Sequence, residues 1–327
     1  MLYIYTDEFT LLGHLKASLK YLGGRAARGP KMVQESLTVG LTELGEDFLL
    51  NSPNTSGQKA DAIVLNGPDS LRWAIKQKTL GKFRTLLAGP NLVILPTDEG
   101  GLIMNPAIDK YVVPALWTQK FWSLLEPGFS ERVEVWPAGV RDSGNLFDPK
   151  GHVVVYLKSG PQELVDYVGE YLVRAGLTVK FIKYGSYTPA QYLAALSGAR
   201  AMVFFSNSES QGIALLESWM GGVPTLVWSR GYYGFGGHRF DDVTTTAPYL
   251  SAEIGERFSG VTDFEEKWNA HFNHPTILDA RQYAQEHFTT SKSANSLLQI
   301  FEKLHPAIPT ENNTFVGLDD KKYTTTA

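Results

Sequence analysis

The stretch Ala201–Trp228, AMVFFSNSESQGIALLESWMGGVPTLVW, constrains the fold more than any other part of the chain. Met202–Phe205 is a short apolar run ending in Ser206, Asn207 and Ser208, the pattern of a strand buried in a parallel sheet. Gly212 then opens a helix whose apolar residues, Ile213, Leu216, Trp219 and Met220, recur at helical spacing. Gly221-Gly222 stops that helix, and Val223-Pro224 leads into a second apolar run, Thr225–Trp228. Two acids, Glu209 and Glu217, frame the loop and helix with seven residues between them.

That spacing has a physical use. Glu209 precedes the helix, where a carboxylate can accept hydrogen bonds from the hydroxyls of a bound sugar. The first helical amides, from Gln211 through Gly212 and Ile213 to Ala214, lack intrahelical partners and carry the positive end of the dipole, so they suit a phosphate. Gly212 also lets a ligand approach the backbone closely. With the helix starting near Gln211, Glu217 lies roughly 9 Å further along at about 1.5 Å per residue. A nucleotide-sugar sets out its hexose, diphosphate and ribose over a comparable span.

Glu209, Gly212 and Glu217, followed by Gly222-Val223-Pro224-Thr225-Leu226-Val227, resemble the Glu–seven residues–Glu motif of retaining family 4 glycosyltransferases, the glycosyl transferases group 1. The resemblance covers the chain well from about 151 to 304 and loosely before that. It implies an α/β protein of GT-B fold, two Rossmann-like doubly wound parallel-sheet domains facing a cleft. It implies that Glu209 orients the donor sugar, that Glu217 holds the ribose, and that a nucleotide diphosphate sugar is the donor. No cofactor and no metal ion are implied, because a lysine and helix amides replace the cation. The implied chemistry is front-face substitution, in which the leaving phosphate helps to deprotonate the acceptor. The acceptor is a glycan, a lipid-linked compound or a small molecule. Two other readings stay open: an epimerase acting on the donor alone, and a non-catalytic nucleotide-sugar-binding module.

The rest of the chain repeats the alternation. Leu2–Tyr5 reads as a strand, and leucines 11, 15, 19 and 22 as a helix. Gly23 to Lys31 superficially suggests a P-loop, but Pro30 intrudes and no Lys-Ser/Thr follows. Gly29, Pro30 and Lys31 instead look like the glycine-rich loop that faces the cleft in GT-B enzymes. Pro30 suits the first turn of a helix carrying Val33, Leu37, Leu41 and Leu44. Strand candidates follow at Asp47–Asn51 and Ala62–Leu65, with Asp69 expected to cap a helix running to about Leu80. Apolar runs at Thr85–Ala88 and Leu92–Leu95, a strand at Tyr111–Val113, a helix through Trp117, Phe121 and Trp122, and a run at Val133–Trp136 complete the first half. Its aromatics read as core. Repeated strand–helix alternation argues a parallel sheet.

Pro137–Gly151 is dense in turn formers and marks the boundary, giving an acceptor-side domain at 1–140 and a nucleotide-sugar domain at 141–290. The family's Gly-Val-Asp is here Gly139-Val140-Arg141, which removes one hinge carboxylate. The second alternation runs through strand Val153–Leu157, helix Gln162–Ala175, strand Thr178–Ile182, the loop Tyr184-Gly185-Ser186-Tyr187 and a helix through Tyr192, Leu193 and Leu196. Doubly wound sheets bind ligands at the C-terminal ends of their strands, which puts Lys158, Tyr184–Tyr187 and Glu209 along one edge. Lys158 either neutralises the diphosphate as charge builds on it, making it catalytic with Glu209, or is a solvated strand-end lysine. Related enzymes often carry an Arg as well, and that second charge is unplaced. Tyr184, Gly185 and Tyr187 are the candidates to hold the base.

Beyond Ser229, SRGYYGFGGH reads as a flexible aromatic loop that does not match a dinucleotide fingerprint. His271 and His274 lack an accompanying carboxylate motif and read as a surface pair. Ala294, Leu297, Leu298, Phe301 and Leu304 form a stripe on a last helix, 291–305, expected to cross back onto the first domain, and 306–327 reads as a polar tail.

At 327 residues, two domains are expected, and 43% hydrophobic with 20% charged residues fits a soluble globular protein. There are no cysteines, which removes disulfides, thiolate metal sites and a cysteine nucleophile. A net charge of −4 argues against nucleic acid. Two basic stretches, Arg72, Lys76, Lys78, Lys82 and Arg84, and Lys16, Lys20, Arg25, Arg28 and Lys31, are either solvated helix faces or a peripheral contact with an anionic bilayer or phosphate-bearing acceptor. The N-terminus lacks a basic n-region and no apolar run approaches the ~20 residues of a membrane span, so a cytoplasmic location, or one at the inner membrane face, is expected.

Overall fold

The computed structural model describes residues 1–9, 28–55, 57–272 and 279–305. Two all-parallel sheets carry the architecture. The first has the order β2-β1-β3-β4-β5-β6, built from Leu2–Tyr5, Phe48–Leu50, Ala60–Asn66, Phe83–Asn91, Lys110–Val113 and Val133–Val135 in chain order. The second has the order β13-β10-β9-β7-β8, from Phe147–Leu157 (β7), Val179–Lys183 (β8), Ala199–Phe205 (β9), Thr225–Trp228 (β10) and Gly255–Phe258 (β13). In each sheet the chain steps outward once, β1 to β2 and β7 to β8, then returns to continue on the other side. A crevice therefore opens beyond the carboxyl ends of β1 and β3, and another beyond those of β7 and β9.

The central strands are apolar on both faces because helices cover both, so β9 is buried throughout. Helices Pro68–Thr79 and Leu116–Leu125 cover one face of the first sheet, and their Leu71, Ala74, Trp117, Phe121 and Trp122 join its core. The other face is covered by Arg28–Leu44 and the last helix, Thr290–Leu304. There Val33, Leu37 and Leu41 pack with Ala294, Leu297, Ile300 and Phe301, as the leucine stripes require. Leu44, at the helix end, is largely exposed instead. The last helix closes on the first so tightly that a Cβ on Gly40 would sit 2.1 Å from the Thr290 carbonyl oxygen.

The two passages of chain between the sheets run side by side. Val140 donates its amide to the Phe288 carbonyl at 2.8 Å, Trp136 Nε1 donates to Ser293 O at 2.9 Å, and the Ser293 hydroxyl donates to Pro137 O at 2.7 Å. Arg141 is exposed, while Asp142 beside it pairs with Arg281 at 2.8 Å and ties the passage to helix Ala280–His287. A carboxylate thus survives one residue later than the motif placed it.

Several expectations change. Asp69 does not cap its helix: the cap is Gly67 with Pro68 at the first position, and Asp69 turns outward to Arg72 at 2.9 Å. The turn-rich segment 137–151 is shorter than its composition implied, because β7 begins at Phe147. Of the two apolar runs in this region, Thr85–Ala88 lies within β4 and Leu92–Leu95 is loop, since β4 ends at Asn91. The aromatic segment after Ser229 is an antiparallel hairpin, Tyr232–Phe235 (β11) with His238–Asp241 (β12), and not a loose loop. The basic stretch 72–84 is largely neutralised: Arg72 pairs with Asp69 and Glu99, Lys78 with Asp109, and Arg84 with Asp61. The leucine pattern at 11–22, most of the second basic stretch, His274 and the tail from 306 lie outside the described residues. His271 faces Glu256 at 3.7 Å on the surface. Among the described residues no helix is long and apolar enough to cross a membrane.

Candidate active site

The crevice beyond β7 and β9 faces the first sheet, and two adjoining cavities of about 210 Å³ and 480 Å³ open there. Both are bordered by Asn91, Lys158, Glu209 and Ser210, so these four sit where the cavities meet. The switch-point strands supply the two charged residues directly, Lys158 one residue after β7 and Glu209 four residues after β9.

The backbone of the 206–212 loop is held from several sides. The Asn207 amide donates to Ser159 Oγ at 2.8 Å, the Ser206 hydroxyl to Ser208 O at 3.0 Å, and the Glu209 amide to Thr245 O at 2.7 Å. From across the crevice, Trp117 Nε1 donates to the Glu209 carbonyl at 2.9 Å. Glu209 is therefore fixed in place, buried, and its carboxylate meets Lys158 Nζ at 2.8 Å. The same ammonium lies 5.2 Å from the centroid of the Tyr184 ring, within range of a cation–π attraction.

The helix begins at Ile213, two residues later than the sequence implied, because Gly212 sits in the left-handed region at φ +62° as its N-cap. A side chain there would be strained, which is why glycine occupies the turn. The amides of Ile213 and Ala214 open the helix and line the smaller cavity, while Gln211 precedes it and lines the same space. Glu217 follows one turn deeper on the same wall. Burial alone pushes its carboxyl up to about 7.

Tyrosines form the opposite wall. The Tyr156 and Tyr187 hydroxyls are 2.7 Å apart, and Tyr192 donates to Ala214 O at 2.6 Å, locking helix Pro189–Leu196 against the first turn of Ile213–Met220. Burial raises both the Tyr156 and Tyr192 phenols well above their ordinary range, so they act as neutral hydrogen-bonding groups.

The structure brings together Lys158, Tyr184, Tyr187, Glu209, Gln211, Gly212, Ile213, Ala214 and Glu217 around the smaller cavity. Gly185 does not join them. It is exposed at φ +83° and serves the turn between Tyr184 and Tyr187. Gly29 lines the smaller cavity and Pro30 the larger, both from the first turn of Arg28–Leu44, whereas Lys31 points to solvent and lines neither. Sequence reasoning missed Asn91, Tyr156, Tyr192, Trp117 and Tyr233, all of which line the cavities. Tyr156 carried a usable signal, being near the carboxyl end of β7 and two residues before Lys158, which follows that strand. Asn91 was the polar end of an apolar strand, as Ser206 is. Trp117 and Tyr233 had none, since they reach the site through contacts remote in sequence. Among the described residues no three His, Asp or Glu side chains converge as a metal site would require.

Parallel sheets whose carboxyl ends face each other across a ligand-sized crevice define the GT-B fold. Solved structures agree. The chain matches the lipopolysaccharide outer core galactosyltransferase WaaB in its apo form over 93% of this chain and 100% of that one, at 11% identity and a TM-score of 0.52. It matches HepE from Anabaena, solved with UDP, over 92% and 99% of the two chains at 10% identity and a TM-score of 0.56. It also matches the catalytic domain of starch synthase IV from Arabidopsis thaliana, bound to ADP and acarbose, over 83% and 76% at 9% identity and a TM-score of 0.50. No protein-family model matches the sequence, and no curated protein matches it either. At such identities the likeness is one of fold.

Proposed function

We propose that the protein is a retaining, metal-independent glycosyltransferase that moves a sugar from a nucleotide diphosphate sugar to an acceptor in the crevice. The observation that carries the reading is the placement of Lys158 and Glu209 at adjacent strand ends, with the start of Ile213–Met220 and Glu217 continuing along one cavity wall. In this reading the three kinds of group serve a hexose, a diphosphate and a ribose in turn.

In this reading Glu209 accepts hydrogen bonds from the donor sugar. The ammonium of Lys158 has three protons, so it can keep Glu209 and also take a diphosphate oxygen. The Ile213 and Ala214 amides hold the same diphosphate, and charge that builds on it during bond cleavage falls on a preorganised positive end. Glu217 takes the ribose diol and Tyr184 and Tyr187 flank the base. The acceptor oxygen bonds to the anomeric carbon on the face the diphosphate leaves. The breaking bond's electron pair departs with the diphosphate, whose oxygen receives the acceptor proton. No side-chain nucleophile is assigned, and the carboxylates lining the two cavities are Glu209 and Glu217. Helix amides and Lys158 together supply the positive charge that a metal ion would otherwise bring.

A thermal-shift screen against uridine, guanosine and adenosine diphosphate sugars tests the donor half, because a ligand that binds only the folded state raises the melting temperature by mass action. Product analysis with and without an acceptor separates transfer from epimerisation. A chain that binds none of these donors is not this enzyme.

A further inference from the structure

Asparagines stand at the carboxyl ends of three strands of the first sheet, and two of them are structural. Asn51, which follows β2, donates its side-chain amide to Thr6 Oγ1 at 2.8 Å and accepts the Thr6 amide at 2.9 Å. Asn66, the last residue of β3, accepts the Asp7 amide at 2.9 Å. Both hold the turn that follows β1. Asn91, the last residue of β4 and the register partner of Asn66, is different. Its Nδ2 is buried and has no hydrogen-bond partner among the described residues. The backbone fixes it there: a Cβ on Gly89 would sit 2.2 Å from Val112 O, so the end of β4 is pressed against β5.

Two other cavity-lining atoms share that state, Thr118 Oγ1 in the larger cavity and Gln211 Oε1 in the smaller. Of the three residues only Asn91 borders both cavities, and it does so beside Lys158 and Glu209. A buried donor without a partner is a standing cost to the fold, which an acceptor atom on a ligand removes.

The chemistry of the junction selects that atom. Glu209 stands across the crevice, and its carboxylate, paired with Lys158, accepts hydrogen bonds and donates none. Asn91 Nδ2 donates and does not accept. A hydroxyl between them satisfies both, donating to Glu209 and accepting from Asn91. A carboxylate or phosphate there would face the charge of Glu209, and an ammonium has no lone pair for Asn91.

We infer that Asn91 is a specificity-determining residue supplied by the first domain. Its side-chain amide donates to a hydroxyl of the transferred sugar, the same hydroxyl that donates to Glu209. The inference rests on the transferase reading, and under it the two domains recognise one sugar hydroxyl from opposite sides.

The full chain is titrated calorimetrically with UDP-glucose, GDP-mannose and ADP-glucose, and with UDP, GDP and ADP as forms without the sugar. For the base that binds, Asn91→Ala and Asn91→Leu should each weaken the sugar form about five-fold or more. The bare diphosphate should weaken less than about two-fold, because the lost bond is made to the sugar. Leucine fills the space of asparagine without its polar atoms, so that variant folds where a gap would not, and its loss is not one of shape. One monodeoxy form of the bound sugar should weaken the wild type at least about three-fold more than it weakens Asn91→Ala, whose hydroxyl has already lost one of its two partners. Sugar-form affinity unchanged in the leucine variant, equal loss with the bare diphosphate, or deoxy losses identical in wild type and variant each overturn the inference and leave the transferase reading standing. Binding of none of these nucleotides removes the transferase reading itself, and the inference falls with it.

Discussion

Glu217 places a titratable group where its charge is expensive. Its carboxyl is raised from 4.5 to about 7 by burial with no charged partner to offset it. The folded protein therefore binds this proton more tightly than the unfolded chain does. Between pH 4.5 and 7 the folded state holds more protons, so stability falls as pH rises, at up to about 1.4 kcal/mol per unit. The contribution is fully present below the unfolded value and gone once pH passes about 7. Over the whole window the shift amounts to about 3 kcal/mol. Glu217→Gln keeps the shape and removes the titration, so the variant should gain on the wild type by about 3 kcal/mol between pH 4.5 and 8. Urea denaturation of both proteins, followed by tryptophan emission across that range, measures the difference directly. Ribose hydroxyls that donate to the carboxylate favour its charged form, so donor affinity should rise about ten-fold per pH unit below 7 and then level off. Parallel stability curves for the two proteins, within about 0.5 kcal/mol, would refute the claim that Glu217 is ionised at a cost.

Three further outcomes are expected. Glu209→Ala removes the group assigned to the donor sugar and strands Lys158, so turnover should fall by about 100-fold or more with the fold retained; near-wild-type kcat by product assay would end that assignment. Trp117→Phe deletes the indole donor to the Glu209 carbonyl and should cost about 1 kcal/mol, with a measurable drop in turnover as the loop loosens. Gly40→Ala drives a methyl into the Thr290 carbonyl and should destabilise by at least about 2 kcal/mol in thermal melts, whereas Gly45→Ala, with open space around it but a left-handed backbone at φ +73°, should cost only about 1 kcal/mol.

The same contrast divides what was readable in the chain from what was not. Strand Leu2–Tyr5, helix Ile213–Met220 and strand Thr225–Trp228 were legible because each announces itself through a periodicity or a breaker within a few residues. The stripe of the last helix was legible for the same reason, and it packs on Arg28–Leu44 as its apolar face demands. Glu209 and Glu217 could be paired because a helix of known rise lies between them. Where the reading slipped, a longer-range partner outvoted a local preference. Asp69 is a good cap by residue type, yet Pro68 preset the first turn and Arg72 took the carboxylate. The hairpin after Ser229 is full of glycine and looked shapeless until its aromatics found Trp117 and Phe121.

The sequence by itself determined the parallel α/β class, the strand-end position of Lys158 and Glu209, and the spacing of Glu209 and Glu217 about the start of one helix. All three follow from spacings along one strand or one helix. Only the tertiary structure decided that Lys158 and Glu209 touch, that burial makes Glu217 a weak acid, and that Trp117 reaches across the crevice to the Glu209 carbonyl. Those facts depend on which strand ends and side chains the fold brings together across the crevice, a relation with no period in the chain to reveal it.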